Sequence, residues 1–462
     1  MSGNFKGPTG LLVVCPEVTQ GTPNWDVKQL DPAPASKVSM TVDVVAGVGS
    51  HDLNLASATA DFLNGLYLYC KAGANAGEVK KISDFAVALG VATFTIVAPG
   101  FTANITAGDQ FYIGAPLQAS NPKITPKYDD LPRDEWIRQT LDAVPSLKGV
   151  KMVSGSFDFE LPGLVQENGN GDTPASDRFS HITKGVGTLR SVAGQLAAAG
   201  STTGIINVVS AAAWLAGDAL LATLADGNEM SIIQSIATNA VTVLPAMTSA
   251  PALSAEVWNS ERVTPDDSGH QSFTFLFLQD DQLVECRGCL IELSISGSAT
   301  KQIKASIEFD GEDWDMQDTF TLDGEQEKTP IEFDVGRVHF GTVEVDVNAF
   351  EFKVGHERVL LTDTGVGHRY YITKRKSTLK ITFRNKTVVP KETWEAAGTE
   401  ALLVLQIGDT ASGGLCIYGT AQIQDPSEFT KVEDHVYWDA TFVFCDGQTS
   451  ASTPRKARIA RF

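Results

Sequence analysis

The chain has 462 residues, 43% of them apolar, with 41 glycines, 20 prolines and a formal net charge of −20. That length exceeds one ordinary sandwich and predicts two to four domains; the charge argues against a conventional phosphate-gripping nucleic-acid binder. Cys15, Cys70, Cys286, Cys289, Cys416 and Cys445 are too sparse for a disulfide scaffold, which points to a cytoplasmic folding compartment.

Glycine- and proline-punctuated apolar alternation through most of the length predicts an all-β protein. An opening strand at Leu11-Leu12-Val13-Val14-Cys15 precedes a Pro-rich arm (Pro23, Pro32, Pro34). Residues 37–117 carry short strands such as Leu66–Tyr69, Phe94–Val97 and Phe111–Ile113, which predict a small β-barrel or sandwich. Residues 118–148 are polar and Pro-punctuated and read as a long arm or loop, a length usually tied to function.

From Gly149 a strand places Val153, Phe157, Phe159 and Leu161 on one face and Ser154, Ser156, Asp158 and Glu160 on the other. Pro162-Gly163 ends it, and a loop at 168–172 follows. Thr173 then caps a short helix, with Pro174 at its first position, Phe179 and Ile182 on its apolar face, and Lys184-Gly185 closing it.

Residues 188–265 form a second small module that reads as a diverged repeat of the first. Ala60–Gly65 aligns with Ala212–Gly217, Gly77-Glu78-Val79 with Asn228-Glu229-Met230, and Phe94–Val97 with Val241–Leu244. Its uncharged run Ser191–Gly217 is broken by Gly194, Gly200 and Gly204 into strand-sized pieces, which argues against a membrane helix. If both modules are insertions, the main domain is discontinuous: 1–36, 118–187 and 266–462. From 266 the strands are dense. Val343–Val347 sets Glu344 and Asp346 opposite three valines, and the apolar phase then shifts to Phe350, Phe352 and Val354, which predicts a β-bulge. Pro390–Ala397 reads as a second short helix.

No catalytic constellation is present. The seven histidines lack paired spacing, and no serine elbow, phosphate loop or dinucleotide fingerprint occurs. Asp158/Glu160 and Glu344/Asp346 are spaced as a solvated sheet face also requires, so they do not by themselves make a glycosidase pair. The acidic run Glu308–Asp318 lacks a calcium-loop pattern and reads as a solvated loop. Cys286-x-x-Cys289 has no second ligand pair and reads as structural. The expectation is a non-enzyme with no metal and no cofactor.

Four segments carry a resemblance: Leu11–Thr22 with its Glu17-Val18-Thr19-Gln20-Gly21-Thr22 turn; Phe157–Gly163 with Pro174–Gly187; Gln271–Cys289 ending in Cys286-Arg287-Gly288-Cys289; and Arg458–Phe462. In this order they resemble the major tail tube proteins of long-tailed, siphovirus-like bacteriophages. The resemblance implies a discontinuous tail-tube β-sandwich or barrel with a short helix and two inserted, outward-facing β-modules. It implies assembly as stacked hexameric rings into a virion tail, made in the host cytoplasm, with tape measure, tail terminator and distal tail proteins as partners and no membrane. Phage DNA would pass through the lumen without specific binding. Glu344, Asp346, Asp158 and Glu160 are then candidates for an acidic lumen lining that repels the polyanion. Asp129, Asp130, Arg133, Trp136 and Arg138 of the arm, and the basic end Arg455, Lys456, Arg458 and Arg461, are candidates for contacts between subunits or rings. A virion decoration or baseplate protein, or a carbohydrate-binding adhesin using Trp314 or Trp394, is the alternative.

Overall fold

The computed structural model describes residues 9–17, 27–28, 36–43, 66–88, 91–106, 109–131, 147–162, 182–183, 185–190, 194–225, 227–259, 261–265, 270–279, 282–318, 331–333, 336–341, 343–363, 367–384, 400–408, 414–425, 429–432, 435–445 and 456–462. Apart from the helical pair Ile182–Thr183, every helix or strand among them is a strand. After β1 (Thr9–Glu17) come β2 (Val27–Lys28), β3 (Ser39–Asp43), β4 (Tyr67–Ala72), β5 (Val79–Ala88), β6 (Val91–Ile96) and β7 (Gln110–Leu131). Next, β8 (Leu147–Glu160) and β9 (Gly187–Arg190) lead to β10 (Gln195–Leu196), β11 (Ile205–Asn207), β12 (Ala219–Leu224), β13 (Gly227–Ala237), β14 (Ala240–Leu244) and β15 (Glu256–Asn259). β16 (Glu261–Pro265), β17 (Ser272–Gln279), β18 (Gln282–Ser298), β19 (Lys304–Gly311), β20 (Asp313–Asp318) and β21 (Gly336–Phe340) follow. The last are β22 (Val343–Asp363), β23 (Gly367–Arg384), β24 (Ala401–Ile407), β25 (Leu415–Asp425), β26 (Phe429–Val432), β27 (His435–Phe444) and β28 (Arg458–Arg461).

In the main body the antiparallel pairings close two circuits. One runs β1, β17, β18, β19, β8, β7 and back to β1. The other runs β22, β23, β27, β25, β24, β21 and back to β22. β18 joins them by pairing with β22, Leu293 opposite Val354. One continuous core fills both, from Leu12, Phe157 and Phe275 in the first to Val345, Phe352 and Phe442 in the second.

Burial explains two kinds of strand. In β1, Leu12 and Val14 enter the main core while Val13 and Cys15 enter the first module's core. In β17, Phe273, Phe275 and Phe277 face the main core and Leu276 the module. A strand covered on both faces reads as an unbroken apolar run, and each such side chain contributes roughly 1.5–3 kcal/mol. β8 is covered on one face: Val153, Phe157 and Phe159 are buried, Asp158 is half-buried and Glu160 exposed. β22 behaves likewise, and its register against β23 slips between Val347 and Ala349, so Phe350, Phe352 and Val354 turn inward after the bulge.

The pairing corrects three expectations. Over residues 118–131 the expected arm, and with it the module boundary at 117, gives way to one long strand, while 132–146 lie outside the described residues. β7 pairs with β4 (Tyr67 opposite Gly114), then β1 (Leu12 opposite Leu117), then β8 (Thr125 opposite Ser154). Pro122 and Pro126 fit there because, among the described residues, the strand beyond Asn121 pairs on the β8 side alone, and an edge strand tolerates a missing N–H. The acidic run 308–318 is strand rather than loop: β19 and β20 both pair with β18. Of the helix expected at 173–184, only Ile182 and Thr183 fall among the described residues, both buried; Pro390–Ala397 lies outside them.

The two modules share a strand order: β2, β7, β4, β5, β6, β3 in the first and β10, β15, β12, β13, β14, β11 in the second. The first therefore begins at β2, upstream of residue 37. Each has a register slip at the aligned isoleucine, between Ile82 and Asp84 and between Ile233 and Ser235. Ile82 N–H donates to Leu66 O at 2.7 Å, and Ile233 N–H to Asp218 O at 2.8 Å. Glu78 and Glu229 both accept a loop N–H, from Thr102 at 3.0 Å and Thr248 at 2.8 Å. The second module closes on itself through the Ala197–Val208 bridge, making a six-stranded barrel with its own core. The uncharged run Ser191–Gly217 supplies its β10 and β11, and no helix among the described residues is long and apolar enough to cross a membrane.

Candidate functional site

The sheet β8–β19–β18–β22–β23 turns its inner face to the phenylalanine core and its outer face to solvent. Register rows across that outer face are polar. Glu160 lies opposite Lys304, Lys304 opposite Ser296, Ser296 opposite Glu351, and Glu351 opposite Lys380. One row along, Asp158, Ser306, Ser294, Lys353 and Thr378 succeed one another. The expected lumen candidates Asp158 and Glu160 thus sit on the polar face of β8, and Glu344 and Asp346 on the polar face of β22, with β19 and β18 between the two strands.

The face is not purely acidic. Lys353 Nζ lies 2.8 Å from Glu292 Oε1, Arg358 Nε 3.0 Å from Asp310 Oδ2, and Lys374 Nζ 3.0 Å from Glu357 Oε2. Glu344 lies 3.8 Å from Arg337 and 3.7 Å from His339. Asn121 Nδ2 donates to Asp158 Oδ2 at 3.4 Å. These cations are held by neighbouring carboxylates, which lowers their pull on a passing anion.

The residues expected to meet neighbouring subunits separate. Asp129 and Asp130 lie on β7, with Asp130 opposite Lys148 of β8; Arg133, Trp136, Arg138 and Arg455 lie outside the described residues. Lys456 is half-buried. For Arg458 and Arg461 an exposed docking role is corrected: they are 8% and 2% exposed. Arg461 Nη1 donates to Pro162 O at 3.0 Å, and Arg458 Nη1 donates to Gly217 O. Both guanidiniums serve carbonyls of this same chain.

Around Arg458 lies the seam that seats the barrel. Ala219, Leu221, Met230 and Ile232 pack on Val404, Cys416, Tyr418 and Phe462. Tyr418 Oη donates to Gly217 O at 2.9 Å, and Arg262 Nη1 donates to Asp218 Oδ1. Burial pushes the Tyr418 hydroxyl up and the Arg458 guanidinium down.

A second buried network, unforeseen from sequence, ties the first module to β18. Glu285 is fully buried, yet it receives Tyr112 Oη at 2.7 Å, Arg287 Nε at 2.8 Å and Arg287 Nη2 at 3.0 Å. Burial alone would raise the Glu285 carboxyl; the Arg287 hydrogen bonds and charge and the Tyr112 hydroxyl outweigh it and hold it below the ordinary range. Nearby Glu17, also buried, accepts from Thr274 Oγ1 at 2.6 Å and from Gly288 N–H at 3.0 Å. Gly288 has φ +65°, and a Cβ there would come within 2.9 Å of Glu312. Burial raises the Glu312 carboxyl to about 7. Cys286 and Cys289 are fully buried, and burial pushes both thiols well up, which disfavours the reactive thiolate.

The four segments singled out in the sequence meet in space. β1 pairs with β17, and Glu17 accepts from Gly288 within the next strand. Phe157 stacks edge-on against Phe275 at 5.5 Å, and Arg461 reaches Pro162. Leu12, Phe157, Ile182, Phe275 and Ile459 share one core.

The class thus defined is an all-β protein of two fused strand circuits carrying two small β-modules. No protein-family model matches the chain, and no curated protein matches it.

Proposed function

We propose that the chain is a structural subunit of a bacteriophage tail tube, polymerising as stacked rings around a conduit for DNA. The observation that carries this reading is the convergence of the four family-like segments, far apart in sequence, on one core. The polar outer face of β8–β19–β18–β22–β23 is the surface best suited to line the bore. Its carboxylates repel phosphate, and three of its cations, Lys353, Arg358 and Lys374, are engaged in ion pairs.

Negative-stain electron microscopy across a protein concentration series tests the polymer. Hollow rods or stacked rings wide enough to pass a duplex are expected; small closed oligomers that never stack would move the reading to a decoration or baseplate protein. Asp158→Asn with Glu160→Gln is expected to slow DNA ejection without stopping assembly. Unchanged ejection would remove these two residues from the lumen.

A further inference from the structure

The second module differs from the rest of the molecule in charge. No Asp, Glu, Lys or Arg occurs from Ser191 to Gly217 or from Met230 to Ala255, in a chain whose formal net charge is −20. Of the three carboxylates between these runs, Asp226 lies outside the described residues, Asp218 is buried against Arg262, and Glu229 is occupied by Thr248.

One side of this barrel packs on the main body through Leu221, Met230 and Ile232 of β12 and β13. The side formed by β10, β11 and the end of β14 carries solvent-facing aliphatics. Ala197 and Val208 are buried and bridge, so Leu196 and Val209 stand opposite each other on the outer face, linked by the Val209 N–H to Leu196 O bond at 3.2 Å. Ile205 continues that face two places along from the half-buried Asn207, and Leu244 follows on β14. Leu253 adjoins the other end, next to Ser254, whose N–H donates to Ala197 O. Val209 is 64% exposed, Leu253 70% and Leu196 47%. Glu256, opposite Leu196, is the carboxylate at the rim.

We propose that this face is a self-contact: it docks against the same face of a second copy of this chain. Near a two-fold axis each residue meets its own duplicate, so a charged face repels itself while a neutral aliphatic one does not. Two acidic chains that approach through this face bring together a part of each whose exposed carboxylate is Glu256 at the rim. A partner recognised by charge would find little to pair with here. The contact stands independently of the tube reading, since it needs neither a ring nor a bore.

Two measurements on the full chain test it. In sedimentation velocity across a concentration series, the wild type is expected to self-associate, and more tightly as salt is raised, because salt screens the like charges while apolar contact remains. Leu196→Asp with Val209→Asp changes exposed positions only and is expected to weaken association at least tenfold at an unchanged melting temperature. A wild type that stays monomeric, association that salt weakens, or a double variant that associates as tightly as the wild type would overturn the proposal. Because rods would obscure sedimentation, the second readout is covalent. Val209→Cys is expected to give a disulfide-linked dimer on oxidation, whereas a control cysteine at the exposed Met316 is not. Rods without a Val209→Cys dimer would sink this contact and leave the tube reading standing; a dimer without rods would do the reverse.

Discussion

The two β-modules share strand order, bulge position and loop caps, yet they are attached in opposite ways. The first shares its core: its buried residues run on into Val13, Cys15, Leu276 and Leu283 of the main body, and β7 passes through both without a break. The second is a closed barrel with a private core, resting on the body through a separate seam. A common topology therefore does not make a common unit of stability. What decides is whether strands are shared or merely abut.

The largest expected effect comes from excision. β9 and β16 pair antiparallel, Arg190 opposite Arg262, so joining residue 190 to 261 by a short turn turns them into a hairpin. The shortened chain is expected to fold, with the main-body strand signal intact by circular dichroism. Removing residues 27–114 should instead abolish folding, because it strips the outer faces of β1 and β17. Equal tolerance of both deletions would erase the distinction.

Next in size is the carboxylate strap of the first module. Glu285→Ala leaves Tyr112 and Arg287 without their buried acceptor and is expected to cost about 3–5 kcal/mol in chemical denaturation. The same group sets a pH dependence. Its carboxyl lies below its ordinary value of 4.5 in the folded state, so its stabilising contribution is present above that value and is lost as pH falls below it. Glu285→Gln should flatten this acid loss.

The hydroxyls sharpen the comparison. Tyr112→Phe removes a bond to a charged acceptor and should cost about 1.5–3 kcal/mol; Tyr418→Phe removes one to the neutral Gly217 carbonyl and should cost about 0.5–1.5 kcal/mol. Equal losses would mean the two attachments are energetically alike. Smallest is Glu312→Gln. A carboxyl raised to about 7 contributes stability below its unfolded value and loses it as pH rises through 7, so the variant should gain on the wild type at pH above 7 and little in acid.

Periodicity read well wherever one face of a strand is wet. The alternation of β8 and the bulge beside Asn348 follow directly from a dry side and a solvated side. It read poorly where the decisive partner is remote. Asn121–Leu131 has loop composition because an edge strand accepts prolines. Val27–Lys28 is too short to announce itself among prolines, and it becomes a strand by pairing with Phe111 and Gln110. Basic residues such as Arg458 and Arg461 suggest a surface; the carbonyls that bury them belong to Gly217 and Pro162. Of the candidate site, the polar faces of β8 and β22 were legible, whereas the interleaved lysines of β19, β22 and β23 come from strands that only register brings alongside.

The two-sided burial of β1 has a consequence in time. Glu17 and the Thr274 that binds it are 257 residues apart. At a synthesis rate of about 5–20 residues per second, the Leu11–Cys15 run waits roughly 10–50 s on the ribosome before β17 exists to cover it. During that interval this apolar segment has at most β7 beside it. A holding chaperone, or an early β1–β7 pairing, would then govern the yield of folded protein more than the final stability does.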